Sequence, residues 1–193
     1  MGSFYTNITV RGPRREDVAE TLRAGERAAI LSPTAEGVTV VYDAEAESQD
    51  DTVVSLAKRL SAEHHCVAWA LLNHDDDLLR YWLFDGGELV DEYDSSPGYF
   101  TGEGGGPSVG DARKLCAAFG AVDAAEPVED VLRYNRAVED QQSGRYVFET
   151  ERHLDLCKAL RLPLFAVGTG YDYLMQGEAP EGMELDDCLI IDG

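Results

Sequence analysis

Lysine is nearly missing from this chain. Lys58, Lys114 and Lys158 stand against thirteen arginines, and all basic residues together number 16 against 37 acidic ones in 193 residues. A net charge of −21 excludes a surface built for nucleic-acid phosphates or anionic lipid, because such a surface repels both. No apolar run reaches transmembrane length. The opening Met1-Gly2-Ser3-Phe4-Tyr5 has no basic stretch leading into an apolar one. A cytoplasmic protein that engages neither nucleic acid nor membrane is therefore expected. Cysteine is scarce as well. Cys66, Cys116, Cys157 and Cys188 lie far apart, and none forms a Cys-x-x-Cys pair. A chain of this length buries enough apolar surface to fold without disulfide or metal staples, so reduced and mostly buried thiols are expected.

The motifs of common chemistries are incomplete. Gly106-Pro107-Ser108-Val109-Gly110 has Gly-x-Ser-x-Gly spacing, but a serine elbow also needs a strand leading directly into it, and the Gly- and Pro-rich residues before it read as a linker. The glycine-rich stretch Gly102–Gly110 precedes a helical pattern, but it lacks the Gly-Lys-Ser/Thr ending of a phosphate loop, and Glu103 and Asp111 would repel a phosphate. Gly168-Thr-Gly-Tyr171 is too short for a dinucleotide fingerprint. His64-His65-Cys66 offers too few ligands in zinc spacing and reads as a helix C-terminus, where the macrodipole favours histidine. His153 and Cys157 share one side of a helix, which random polar placement also produces. No cofactor and no catalytic residue are expected on these patterns.

Acidity is what the chain does have, and it is spread evenly. Residues 1–100 hold 19 acidic and 8 basic side chains, and residues 101–193 hold 18 and 8. The acid therefore coats the body and is not a tail. Such a surface favours basic partners or cations, while a genome or cytoplasm biased toward acidic residues produces the same composition with no partner implied.

The first hundred residues alternate strand and helix patterns. In residues 4–10, Phe4, Thr6, Ile8 and Val10 share one face and Tyr5, Asn7 and Thr9 the other, which predicts a half-buried strand. A helix follows over about 14–24, with Gly25 placed to end it. Strands at 28–32 and 38–42 flank a short loop, and a helix over about 50–64 carries Val53, Leu56, Ala57 and Leu60 on one stripe. Residues 67–93 read as a three-stranded meander whose strands are apolar on both faces, with Gly86-Gly87 as a tight turn. The order β-α-β-β-α-β plus two strands predicts an α+β fold with an antiparallel sheet of about five or six strands, a ferredoxin-like core extended by a hairpin. Strands apolar on both faces need cover on both faces, so the second half of the chain is expected to pack on the sheet.

Residues 95–107, rich in Gly, Pro and Ser, read as a linker, with Tyr99 and Phe100 anchoring it by packing. This places a sheet core in 1–100 and a helical region in 101–193, joined into one compact domain. In the second region, Ser108 is placed to cap a helix ending at Gly120, Pro127 opens another, and a third spans about 149–160. A fourth runs through Leu164, Val167, Tyr171, Leu174 and Met175, weakened by Gly168 and Gly170 at roughly 1 kcal/mol each. The last two have helix-turn-helix proportions, but the final helix carries no basic residue to read DNA.

One turn gathers polar chemistry: Asn73-His74-Asp75-Asp76-Asp77, between two strands. Its carboxylates lack calcium-loop spacing, and neighbouring side chains in a turn point apart, so no metal site is expected. His74, Asp75, Asp76 and Asp77, with Tyr99 from the linker, are the candidate ligand- or partner-binding residues. Two functions fit. One is a protein–protein interaction module that engages a basic protein, including as its inhibitor. The other is a small-molecule-binding protein or enzyme whose pocket lies between the sheet and the C-terminal helices, with these residues at its mouth. Nothing in the pattern sets an oligomeric state.

Overall fold

In the computed structural model, which describes residues 2–103, 106–133 and 146–193, the first alternating segment forms strand β1, Tyr5–Arg11. Helix α1, Arg15–Ala24, follows, then β2, Ala29–Leu31, and β3, Val38–Asp43. Helix α2, Thr52–His64, leads into β4, Val67–His74, β5, Leu78–Asp85, and β6, Glu88–Asp94. The remainder supplies β7, Ser108–Val109, helices α3, Ala112–Phe119, α4, Ala125–Arg133, α5, Glu149–Ala159, and α6, Tyr171–Met175, and finally β8, Leu189–Ile191. The strands form one antiparallel sheet in the order β7-β6-β5-β4-β1-β3-β2-β8. The fold is mixed α+β, with six α-helices among the described residues.

Period-two alternation sorts the strands' side chains onto two faces. Ile8, Val10, Leu31, Val41, Ala68, Ala70 and Phe84 face one way, into a cluster with Val18 and Leu22 of α1 and Val53, Leu56 and Leu60 of α2. Tyr5, Trp69, Leu71, Leu79, Tyr81, Leu83 and Tyr93 face the other way, against Leu115, Val128, Leu132 and Leu156 of α3, α4 and α5. A third cluster covers the same side near the β2 end, where Ile30, Val40 and Tyr42 meet Phe165, Leu174 and Met183. The space between the sheet and the C-terminal helices is thus filled with side chains.

Several expectations are corrected. β1 is not half-buried: Tyr5 through Val10 are all buried, because helices cover both faces. The sheet has eight strands rather than five or six, because β7 and β8 come from the region read as helical and add one strand to each edge. Ser108 lies in β7 and does not cap α3. That cap is Asp111, whose carboxylate accepts from the Arg113 and Lys114 N–H groups, as a carboxylate at an N-cap does. The fourth C-terminal helix breaks where its glycines fall. Leu164–Ala166 is a 3-10 turn, Val167 is extended at φ −79° and ψ 127°, Gly168 takes φ +69°, and only the five residues of α6 are helical. The helix-turn-helix proportions vanish with it. Gly25 is not the left-handed residue after α1; Glu26 is, at φ +51°. Of the residues 95–107 read as a linker, Gly104 and Gly105 lie outside the described residues.

The four cysteines carry free thiols, with Cys66, Cys116 and Cys157 buried. Burial pushes the Cys66 thiol up to about 11 and raises Cys116 and Cys157 as well. His153, also buried, pairs through Nδ1 with the Tyr5 hydroxyl at 2.9 Å, and burial lowers its pKa to about 3. Among the described residues no group of three or more His, Cys, Asp or Glu side chains is placed to hold a metal ion. No helix there is long and apolar enough to cross a membrane.

Candidate functional site

The turn between β4 and β5 consists of Asp75, Asp76 and Asp77, since His74 pairs directly with Leu78. Asp75 and Asp76 both occupy the left-handed region, at φ +53° and +56°. Aspartate tolerates that conformation better than most residues, which is one reason this sequence turns here. The turn closes with a hydrogen bond from the Asp77 N–H to the His74 carbonyl at 3.0 Å.

The three carboxylates go three different ways. Asp76 points inward and is 7 % exposed. It accepts hydrogen bonds from the Ser3 N–H at 2.9 Å, from Asn73 Nδ2 at 3.3 Å, from the Thr150 N–H at 3.2 Å and from the Thr150 hydroxyl. Its carbonyl accepts from the Glu149 N–H at 3.0 Å. The first two residues of α5 are therefore capped by Asp76 across 74 positions of sequence, in place of the side chain that Phe148 cannot supply. Burial alone would raise the Asp76 pKa, but the hydrogen bonds from Thr150 and Ser3 outweigh it and hold the carboxyl below its usual range. Asp75 accepts from the Gly2 N–H at 3.0 Å, and Asp77 from the Tyr99 hydroxyl at 3.2 Å.

Because Asp76 and Asp75 hold the segment at residues 2–3, the next residue, Phe4, is delivered to the side of His74. The rings of Phe4, Phe100 and Tyr99 stand edge-on to the His74 imidazole, with centroids 4.9, 5.2 and 5.8 Å away. Tyr99 and Phe100 stack edge to face at 5.1 Å. Edge-to-face geometry within about 4.5–7 Å is the favoured arrangement of aromatic quadrupoles. Phe4 remains 41 % exposed and Phe100 69 % exposed. Gln49, itself left-handed at φ +56°, reaches across from the end of the 3-10 turn Ala46–Ser48 and contacts both His74 and the Asn73 carbonyl.

His74, Asp75, Asp77 and Tyr99 thus come together on one turn and its neighbouring loop, while Asp76 is the buried tie behind them. Phe4 and Gln49 were not singled out from the sequence, and Phe100 was read only as a loop anchor. No spacing rule connects Gln49 or Phe4 to His74, because long-range pairing brings them there.

Two other features bear on chemistry. A groove of about 740 Å³ lies between the start of α3 and α4, lined by Asp111, Arg113, Glu126, Glu129, Asp130 and Arg133. It is away from His74. Glu47, in the 3-10 turn, accepts from the Tyr171 N–H at the start of α6. Burial pushes its carboxyl up to about 7; that N–H opposes the shift and the nearby Asp172 charge adds to it.

Among the described residues four acidic side chains are buried, Asp43, Asp76, Asp91 and Glu149, and the rest are at least partly exposed. At least eight of the thirteen arginines are engaged in ion pairs within the chain, including the buried Arg152–Glu149 pair and Arg27 with Asp43 and Glu45. Comparison of the chain with protein-family models, with curated proteins and with solved structures finds no match among any of them.

Proposed function

We propose that this chain is a protein-interaction module whose partner is a basic protein, engaged at the β4–β5 turn. The observation that carries the reading is the exposure of Phe4 and Phe100 beside the Asp75–Asp77 turn, on a protein of net charge −21. Aromatic side chains are enriched at interfaces, and a uniformly acidic body speeds encounter with a basic surface in a salt-dependent way. The same charge disfavours nucleic acid and anionic membrane as partners. An inhibitor that neutralises a basic protein is one form this module takes. We read the inner strands, in the order β4-β1-β3-β2 with α1 and α2 on one face, as a ferredoxin-like core, and both halves of the chain as one domain working in the cytoplasm.

The alternative is a small-molecule binder or enzyme with a pocket between the sheet and the C-terminal helices. The packed cluster of Trp69, Leu71, Tyr81 and Leu115 in that space weighs against it.

The test is capture from host lysate with the tagged chain and its Phe100→Ser variant, at low and high salt, read by mass spectrometry. The expected result is one basic protein retained at low salt, released at high salt and weakened by the variant. Retention that is indifferent to salt and to Phe100, or no retained protein, would sink the reading.

A further inference from the structure

A groove of about 460 Å³ lies between α5 and the chain around α6. Leu154 of α5 lines it with Leu164, Val167 and Pro180, and each of the four keeps part of its surface exposed. Leu154 packs into none of the three core clusters. The sequence accounts for the space. Val167 is extended and Gly168 takes φ +69°, so the chain leaves its helical course there, and Gly168 lines the groove with no side chain to fill it. Glu178 and Glu181 also line the groove and are exposed, and no basic residue among the described ones does so. The groove runs up to the β4–β5 turn, because Ser3 lines it and the Ser3 N–H donates to Asp76.

We infer that this groove is a docking site for an aliphatic side chain of the basic partner, presented between basic residues on an amphipathic helix; the inference rests on the binding reading above. Covering Leu154 and the half-exposed Leu164 and Val167 removes apolar surface from water, which favours an aliphatic occupant. An amphipathic helix laid along a groove delivers such side chains one turn apart. The two exposed carboxylates choose what flanks the anchor. They attract basic residues and repel acidic ones. They also repel a second copy of this chain, which brings the same net charge of −21. An evenly acidic body holds basic residues anywhere on its surface. The groove adds a requirement for an aliphatic residue among them.

The experiment titrates the full chain at low salt with short synthetic helical peptides. The first carries leucines on one face and lysines on the other, the second has serine in place of every leucine, and the third has glutamate in place of every lysine. Fluorescence anisotropy reads affinity, and NMR of the Leu154, Leu164 and Val167 methyl groups reads location. The leucine–lysine peptide is expected to shift those methyls saturably. It should bind on the order of ten-fold more tightly than either control, the scale of burying one aliphatic side chain. Leu154→Ser lies outside the core clusters and is expected to remove that advantage. Glu178→Gln with Glu181→Gln should weaken the same peptide several-fold and flatten its salt dependence. Equal affinity for the leucine and serine peptides, or methyls that do not move, overturns the groove. If the lysate capture still depends on salt and Phe100 in that case, the basic-partner reading stands without it. If the peptide seats as expected but no basic protein is captured, the groove stands and that reading falls instead.

Discussion

Replacing Glu47 by glutamine should stabilise the protein above neutral pH and leave it nearly unchanged in mild acid. The Glu47 carboxyl is mostly buried, accepts from the Tyr171 N–H, and has its pKa raised from 4.5 to about 7. A carboxyl raised in this way binds its proton more tightly folded than unfolded. Its contribution is therefore fully present below the unfolded value and is lost as pH rises through the folded one. The shift of about 2.5 units corresponds to a ceiling of roughly 3 kcal/mol at pH well above 7, at about 1.4 kcal/mol per unit. Because the side chain retains some solvent contact, screening reduces this to about 1–2 kcal/mol. Glutamine keeps an oxygen for the Tyr171 N–H and never ionises. Urea unfolding of both proteins at pH 5 and pH 8.5 reads the difference directly. The variant should exceed wild type by only a few tenths of a kcal/mol at pH 5, just above the unfolded value, and by about 1–2 kcal/mol at pH 8.5, or roughly 2–8 °C in Tm for a chain of this size. An equal offset at both pH values, or a variant weaker at pH 8.5, would show that Glu47 is ionised at little cost and that the argument is wrong.

Two further outcomes follow from the same kind of reasoning. Asp76→Ala should cost about 3 kcal/mol, because it strands the Ser3 and Thr150 N–H groups, with chemical denaturation as the measure. In wild type, the depressed Asp76 pKa makes that contribution present above the ordinary carboxylate value and lost as pH falls through the folded one. Gly170→Ala should also be destabilising by about 1–3 kcal/mol, since an added Cβ would lie 2.2 Å from Glu47 Oε1 and 3.0 Å from Tyr5 Cβ. Its thermal unfolding should drop accordingly, while a substitution at Gly177, which meets nothing within 4 Å, should feel only the cost of its positive φ.

The elements legible in the sequence are those whose own pattern suffices. α2 shows its stripe of Val53, Leu56, Ala57 and Leu60, and β4 and β5 show runs apolar on both faces, from which cover by the second half followed. The edges were not legible. β7 has two residues and β8 three, too short for any periodicity, and both exist because a neighbouring strand offers unpaired N–H and C=O groups. Helical spacing at Leu164–Met175 misled because apolar residues at i, i+3 and i+7 also arise when separate turns face one cluster, here with Phe165 and Leu174 against Tyr42. At the candidate site, the turn itself was visible as a run of acids. What surrounds it depends on partners 25 to 77 positions away, such as Gln49, Ser3 and Thr150, and no local rule reaches that far.

The placement of β7 and β8 at the two rims of the sheet also sets an order of events at the ribosome. Strands β1 to β6 and the two helices of one face are synthesised first, while residues 95–191, which seal both rims and the other face, are still to come. At about 5–20 residues per second, that interval lasts roughly 5–20 s. During it Trp69, Leu71 and Tyr81 have no helix to cover them, and β6 and β2 present open backbone to any neighbouring nascent chain. The late-made segments thus close an aggregation-prone sheet, and a stalled or truncated product lacking them would be left as client material for chaperones.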